Sequence, residues 1–283
     1  MKKTILFSAL TLLLLASCQK EGVYNPGKKI SQVQQVYASE DNSSSYSTSE
    51  LWEWNGKQLN SVSQYQESSL QQSFSYTYDS DRKLVKALLH STAQNTSDIE
   101  YTFSYSDEQL TAIEATANGA VTHKYAITHQ DKHISKIVIT YNNIPDDELL
   151  SMLLPREAAD MMRRDMHRSA KGSATRTIEF TWKSNNISQI DIADNSGTMH
   201  YEFAYDKKRN PYYNSTADGT VSLNTLTPPS RNNVLSMHAT GYRDDTKTNE
   251  YSMHYSYQYN GKYPITALRS TGDGTCKTYY EYL

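Results

Sequence analysis

The stretch YSYQYNGKYPITAL, Tyr255 to Leu268, holds the fold in miniature. Tyr255, Tyr257 and Tyr259 alternate with Ser256 and Gln258, and the row runs back through Met253 and Tyr251. Period two means a strand with one apolar face and one wet face. Antiparallel sheets show this pattern, whereas parallel sheets bury both faces. Asn260-Gly261 then supplies turn chemistry, because this pair accepts positive φ cheaply. The apolar run from Pro264 to Leu268 returns as a second strand.

The stretch is one copy of a repeat. LWEWNGKQLNSV begins at Leu51, YTYDSDRKLVKAL at Tyr76, FSYSDEQLTAI at Phe103, ITHQDKHISKI at Ile127, FTWKSNNISQI at Phe180 and FAYDKKRNP at Phe203. Their common form is aromatic-x-aromatic, a polar turn, then Leu/Ile-x-x-Ile/Leu. The second aromatic position is taken by Trp54, Tyr78, Tyr105, His129, Trp182, Tyr205 and Tyr259, at spacings of 24, 27, 24, 53, 23 and 54 residues. Ile30-Ser31-Gln32-Val33 matches Ile187-Ser188-Gln189-Ile190, which places the start of the sheet near Ile30. Arg231-Asn232-Asn233-Val234 echoes Ser184-Asn185-Asn186-Ile187 as a half-unit. Each unit is two strands and two turns, and the halves sum to about sixteen strands.

An open twisted sheet rarely passes about ten strands. The expectation is therefore an all-β protein: a curled or closed antiparallel meander, barrel-like, of about sixteen strands built from repeated hairpins. Two doubled gaps hold insertions. Residues 144–170 lose period two. Asp146 and Asp147 suit a helix start, and Pro155 divides the segment into two helices. This helical insertion is expected to plug an interior too wide for side chains to fill. Residues 207–231 carry Pro211, Pro228 and Pro229 and read as a long loop.

Tyrosine, with 23 copies, far outnumbers phenylalanine (5) and tryptophan (3), so the apolar face is built from rings with a polar tip. The net charge is −3 with no basic run beyond the first residues, which leaves no electrostatic footprint for nucleic acid. Lys2 and Lys3, an apolar stretch from Ile5 to Leu15 and small residues after it make 1–17 a secretory signal peptide. Leu15-Ala16-Ser17-Cys18 resembles the bacterial lipobox, which implies acylation of Cys18 and cleavage before it. Losing the two lysines takes the charge from −3 to −5. Residues 18–29 then form a lipidated tether to the membrane, and 30–283 a single β-repeat domain. Cys276, the other cysteine, is expected in a terminal strand without a partner or a catalytic role. Gln19-Lys20-Glu21 resembles the start of the surface-export signal of Bacteroidetes lipoproteins. An outer-membrane location follows, on either the periplasmic or the surface face.

Tyr76-Thr77-Tyr78-Asp79 and Phe203-Ala204-Tyr205-Asp206 resemble the tyrosine-aspartate repeats of Rhs and teneurin shells. More broadly, the chain resembles a Bacteroidetes lipoprotein family of unknown function with a porin-like fold. The matching segments are Tyr205-Asp206 with Asn210-Pro211, Ser230-Arg231-Asn232-Asn233-Val234, and Tyr257 to Pro264. The resemblance implies a fold but no activity. A membrane-spanning porin would need an outward apolar band and a polar interior. The alternation alone allows either face to point inward. The lipobox and the Tyr-rich apolar face argue against spanning.

Chemistry is sparse. His123, His129 and His133 form the tightest histidine group, but tetrahedral metal sites need three or four ligands with supporting partners. His129 replaces a strand aromatic and His133 reads as solvated, so no metal or cofactor is expected. His200, His238 and His254 lie on separate strands. Asp146-Asp147-Glu148 is explained by helix capping, and Asp244-Asp245 falls in a turn. No G-x-S-x-G elbow, P-loop or H-E-x-x-H occurs. A non-catalytic binding or scaffolding role follows, with a glycan, peptide or envelope-protein partner. An envelope hydrolase acting on glycans is the alternative. The binding candidates are the aromatics Trp52, Trp54, Trp182, Tyr257 and Tyr259.

Overall fold

The computed structural model describes residues 26–39, 45–92, 96–131, 133–142, 175–195, 197–213, 230–271 and 274–283. The signal peptide, Cys18 and the expected helical insertion at 144–170 lie outside these residues. Sixteen strands form one closed antiparallel barrel in which each strand pairs with its neighbours in sequence. They are β1 (Ile30–Ser39), β2 (Ser45–Asn55), β3 (Gln58–Gln66), β4 (Ser69–Tyr78), β5 (Leu84–Ser91), β6 (Ile99–Ser106), β7 (Gln109–Ala117) and β8 (Ala120–Gln130). The second half comprises β9 (His133–Tyr141), β10 (Thr175–Lys183), β11 (Asn186–Asp194), β12 (Gly197–Arg209), β13 (Asn232–Arg243), β14 (Thr246–Asn260), β15 (Tyr263–Thr271) and β16 (Gly274–Tyr282). β1 closes the wall on β16, with Val33 opposite Tyr280. We call the end that carries the Asn55-Gly56 and Asn260-Gly261 turns the near mouth, and the opposite end the far mouth.

The aromatic rows face inward. On β6, Ile99, Tyr101 and Phe103 are buried while Glu100, Thr102 and Ser104 are not. Tyr101, Tyr125, Tyr141 and Tyr201 from four different strands are among the largest fully buried side chains. The outward rows are mostly polar and paired across strands, with scattered apolar residues such as Leu51, Leu88 and Leu268 among them. Lys86–Glu100 (2.9 Å), Lys124–Glu114 (2.8 Å) and Lys136–Glu179 (2.9 Å) bridge neighbouring strands on the outside. The apolar rows thus face inward, with Glu50 and the Arg176–Asp194 pair as charged exceptions, and most of the charge faces outward.

The Leu/Ile-x-x-Ile/Leu spacing has a mechanical cause. A period of two would send Leu59 and Val62 to opposite faces, yet both are fully buried. The ladder shifts register between Glu53 and Trp54, where a bulge on β3 absorbs one residue. The same shift recurs beside Tyr78, Tyr105, His129, Trp182, Tyr205 and Tyr259. It recurs once more between Ile30 and Gln32, where β1 meets β16. The bulge therefore marks eight hairpin units, and the eighth is split between the chain ends, with Tyr282 opposite Ile30.

The reading of 207–231 as one loop needs revision at its start. β12 continues to Arg209, and Asn210 to Tyr213 turn back into the barrel. Asn210 and Tyr212 are each only 1% exposed. The Tyr212 ring lies 6.0 Å from Trp52 and 6.1 Å from Tyr280, on strands far around the wall from β12. Among the described residues, this turn is what crosses the interior at the near mouth. Residues 214–229 lie outside the described set.

Candidate functional site: the aromatic near mouth

One geometric rule builds the near mouth. Each ladder from an odd strand to the next even strand stops two residues after the odd strand's first apolar residue. β5 and β6 last pair at Lys86 and Thr102, for example, which leaves Leu84 beyond the ladder. Its carbonyl oxygen still needs a donor. Tyr105 reaches across from β6 and donates its hydroxyl to Leu84 O at 2.8 Å. Tyr78 does the same to Leu59 (2.8 Å), Tyr205 to Ile187 (2.6 Å) and Tyr282 to Pro264 (2.7 Å). The Trp indole N–H serves equally well: Trp54 donates to Ile30 O at 2.7 Å and Trp182 to Ile134 O at 2.8 Å. His129 fills the corresponding slot on β8. Thus a ring with a polar tip is needed here, which phenylalanine cannot supply.

The residue just before each acceptor often covers the ring. Lys29 Nζ sits 5.2 Å from the Trp54 centroid and Lys83 Nζ 5.0 Å from that of Tyr105. At the next position the His133 ring lies 4.4 Å from Trp182. These are half-exposed cation–π and ring contacts.

The unit containing Tyr255 to Leu268 keeps this ladder geometry but fills the slot with the ring two residues earlier in its repeat. Tyr257, not Tyr259, donates to Val234 O, at 2.8 Å. Tyr259 is released to bond the Asp206 carboxylate through Oδ2. Asp206 also accepts from the Asn233 backbone N–H (3.0 Å), the Asn233 side-chain amide (3.1 Å) and the Lys208 N–H (2.9 Å). Buried Ser230 donates to the Tyr205 hydroxyl at 3.0 Å and accepts from Ile187 N at 3.0 Å. Burial first, and the Asp206 hydrogen bond second, push the Tyr259 phenol well above its usual range. Burial alone does the same to Tyr78. The three segments that carried the family resemblance therefore meet in one polar staple, which pins the inserted turn to the wall.

The five aromatic candidates do not form one binding surface. Trp52 is only 4% exposed, and its indole donates to Glu50 Oε2 at 3.1 Å inside the barrel. Trp54, Trp182, Tyr257 and Tyr259 share the near mouth, but on β2, β10 and β14. Each has its tip bonded within the protein. An open depression of about 610 Å³, lined by Trp52, Glu53, Trp54, Asn55, Asn60 and Leu283, lies at the rim.

The histidines stay apart. His123 is buried between Tyr125 and Tyr141 toward the far mouth, away from His129 and His133. Cross-strand register does bring two others to carboxylates on the outer wall. His200 Nδ1 lies 2.6 Å from Asp191 and His238 Nε2 3.1 Å from Glu250. Lys247, hydrogen-bonded to Glu250, holds that carboxyl below its usual range. Among the described residues no group of three His, Cys, Asp or Glu is arranged to hold a metal. Asp244 and Asp245 both adopt positive φ, as their turn requires. Cys276 is buried on β16 and forms no disulfide with any described residue.

No family model and no curated protein matches the chain. Solved structures do match. A porin-like protein from Bacteroides uniformis ATCC 8492 superposes with a TM-score of 0.55 at 11% identity, over 93% of this chain and 100% of that one. A porin-like protein from Bacteroides vulgatus ATCC 8482 gives 0.54 at 9% identity, over 90% and 99%. At such identities the likeness is one of fold: a closed antiparallel barrel that spans nearly the whole of each chain.

Proposed function

We propose that this chain is a lipid-anchored protein of the cell envelope, held at the outer membrane through Cys18, with a non-catalytic binding or scaffolding role. The observation that carries this reading is the polarity of the wall. The inward rows are shielded from water and the outward rows carry ion pairs. A lysine facing lipid at the bilayer midplane costs about 2–4 kcal/mol, so a wall bearing Lys86, Lys124 and Lys136 is suited to water. Attachment then needs a separate device, which the acylated Cys18 supplies. The "porin-like" description of the Bacteroides structures fits this chain in topology but not in the polarity of its faces.

A binding role is favoured over a catalytic one because the mouth holds bonded aromatic tips and no convergent acid, base or nucleophile among the described residues. A peptide or envelope protein suits the surface better than a glycan held in a lumen, since the aromatic tips are already engaged. The test combines fractionation with electrical recording. Wild-type protein is expected in the outer-membrane fraction and Cys18→Ala in the soluble fraction. Purified barrel added to planar bilayers is expected to give no conductance steps. Discrete channels, or a Cys18→Ala chain that still fractionates with membranes, would overturn the reading.

A further inference from the structure

We infer that the barrel stands on the bilayer by its near mouth, with a basic arc of that rim against the lipid headgroups. This inference rests on the proposed acylation of Cys18. The described chain enters the wall at the near mouth, where Lys28 lies 4.9 Å over the Tyr282 ring and Lys29 covers Trp54. Pro26 stands eight residues after Cys18. At full extension this stretch spans at most roughly 28 Å, so the near mouth cannot stand far from the leaflet that holds the acyl chains.

Charge selects the contacting arc. Going round the rim, the turns nearest the chain entry carry Lys57, Lys183, Lys208, Arg231 and Lys262 besides Lys28. Within that arc Asp206 is occupied by Tyr259 and Asn233, and exposed Glu53 and Glu281 offset only part of the positive charge. The rest of the rim is acidic on balance, with Asp79, Asp81, Asp107, Glu108 and Asp131 against Arg82 and Lys83. Among the described residues, the far-mouth turns carry Glu67, Asp98, Asp244 and Asp245 against Arg243 and Lys247. A chain of net negative charge thus gathers its cations beside its own anchor. Clusters of this kind are drawn to anionic headgroups within about a Debye length, roughly 8 Å at physiological salt. Half-exposed Trp54 and Trp182 stand on the same rim, as ring-bearing residues do at membrane interfaces. The barrel therefore tilts onto its basic side and turns its acidic far mouth away from the membrane.

The test uses the full lipidated chain in vesicles containing phosphatidylglycerol, with a spin-label quencher on the headgroups. A fluorophore is placed at Asn55→Cys on the near rim or Thr246→Cys at the far mouth, both exposed positions, while Cys276 stays buried. Quenching at position 55 is expected to exceed that at 246 severalfold. A Lys57→Glu/Lys183→Glu/Arg231→Glu/Lys262→Glu variant is expected to pellet with the vesicles as before, yet lose that difference. Equal quenching at both positions in the wild-type protein, or stronger quenching at 246, overturns the orientation and leaves the anchor intact. Wild-type protein that fails to pellet with vesicles overturns the anchor, and the orientation with it.

Discussion

Removing one hydroxyl, in Tyr105→Phe, tests the rule that builds the near mouth. The ring and its volume remain, and only the donor to Leu84 O, at 2.8 Å, is lost. The β5–β6 ladder ends at Lys86 and Thr102, so no strand N–H of β6 stands ready to replace it. A typical intramolecular hydrogen bond contributes about 1 kcal/mol net, and an acceptor left dry costs about 1–3 kcal/mol. The half-exposed rim lets water reach part of the site, so the expected loss is about 1–2 kcal/mol. For a domain of this size, about 2–4 °C of midpoint accompanies each kcal/mol, giving a drop of ~2–8 °C. Tyr279→Phe is the control, because that ring lies on the outer wall at 37% exposure, with the Lys277 ammonium 5.0 Å away. Thermal and urea melts of both variants decide the matter. If Tyr105→Phe and Tyr279→Phe melt together with wild type, the tip-to-carbonyl bond is a decoration of the mouth and the rule fails.

Tyr212→Ala removes a ring that is 1% exposed and packed against Trp52 and Tyr280; a urea titration is expected to show about 3–5 kcal/mol of destabilisation, and a loss under 1 kcal/mol would mean the inserted turn does not brace the wall. Alkaline stability should fall through the tyrosines. Tyr78 and Tyr259 have phenols raised in the folded state, so their stabilisation is full below the unfolded value of about pH 10 and is lost as pH rises above it. Urea midpoints measured from neutral pH upward should drop less steeply above about pH 10 in Tyr78→Phe/Tyr259→Phe than in wild type, and identical slopes would refute the assignment.

Much of this architecture is legible in the residues, and the limits have physical causes. The alternation of Tyr101, Phe103 and Tyr105 with Thr102 and Ser104 gives strands, and Asn55-Gly56 and Asn260-Gly261 give turns with positive φ at glycine. Sixteen strands follow from counting half-units. The eighth unit is harder to see, because Tyr282 and Ile30 stand at opposite ends of the sequence and become neighbours only when β16 closes on β1. The direction of the faces is equally non-local. Tyrosine opposite serine suits either a packed interior or an interfacial exterior. It is decided by outward pairs such as Lys136 with Glu179, which are 43 residues apart in sequence. The Trp and Tyr candidates are legible as special positions, but Trp54, Trp182 and Tyr257 spend their polar tips on the open ends of strand ladders. The histidines that cluster in sequence are likewise spread by the strand, since His123 and His129 lie toward opposite ends of β8.

The departure at β14 shows how the repeat was adapted without being broken. Six slots use one Tyr or Trp ring each to close one ladder, and the stretch from Tyr255 onward has a ring to spare. Tyr257 takes over the closing bond to Val234, which leaves Tyr259 to hold Asp206. Asp206 in turn anchors Asn233, and Asn210 donates its side-chain amide to Ser230 O at 3.0 Å, so both ends of the insertion are fixed to the wall before residues 214–229 begin. An eightfold design thereby accepts an inserted segment at one unit, since the extra tyrosine is already in phase with the strand. The cost falls on the surface near that unit, where ring tips that a ligand would otherwise meet are consumed by the fold. Recognition at the near mouth must then come from charge on the turns and from ring faces, not from the tyrosine hydroxyls.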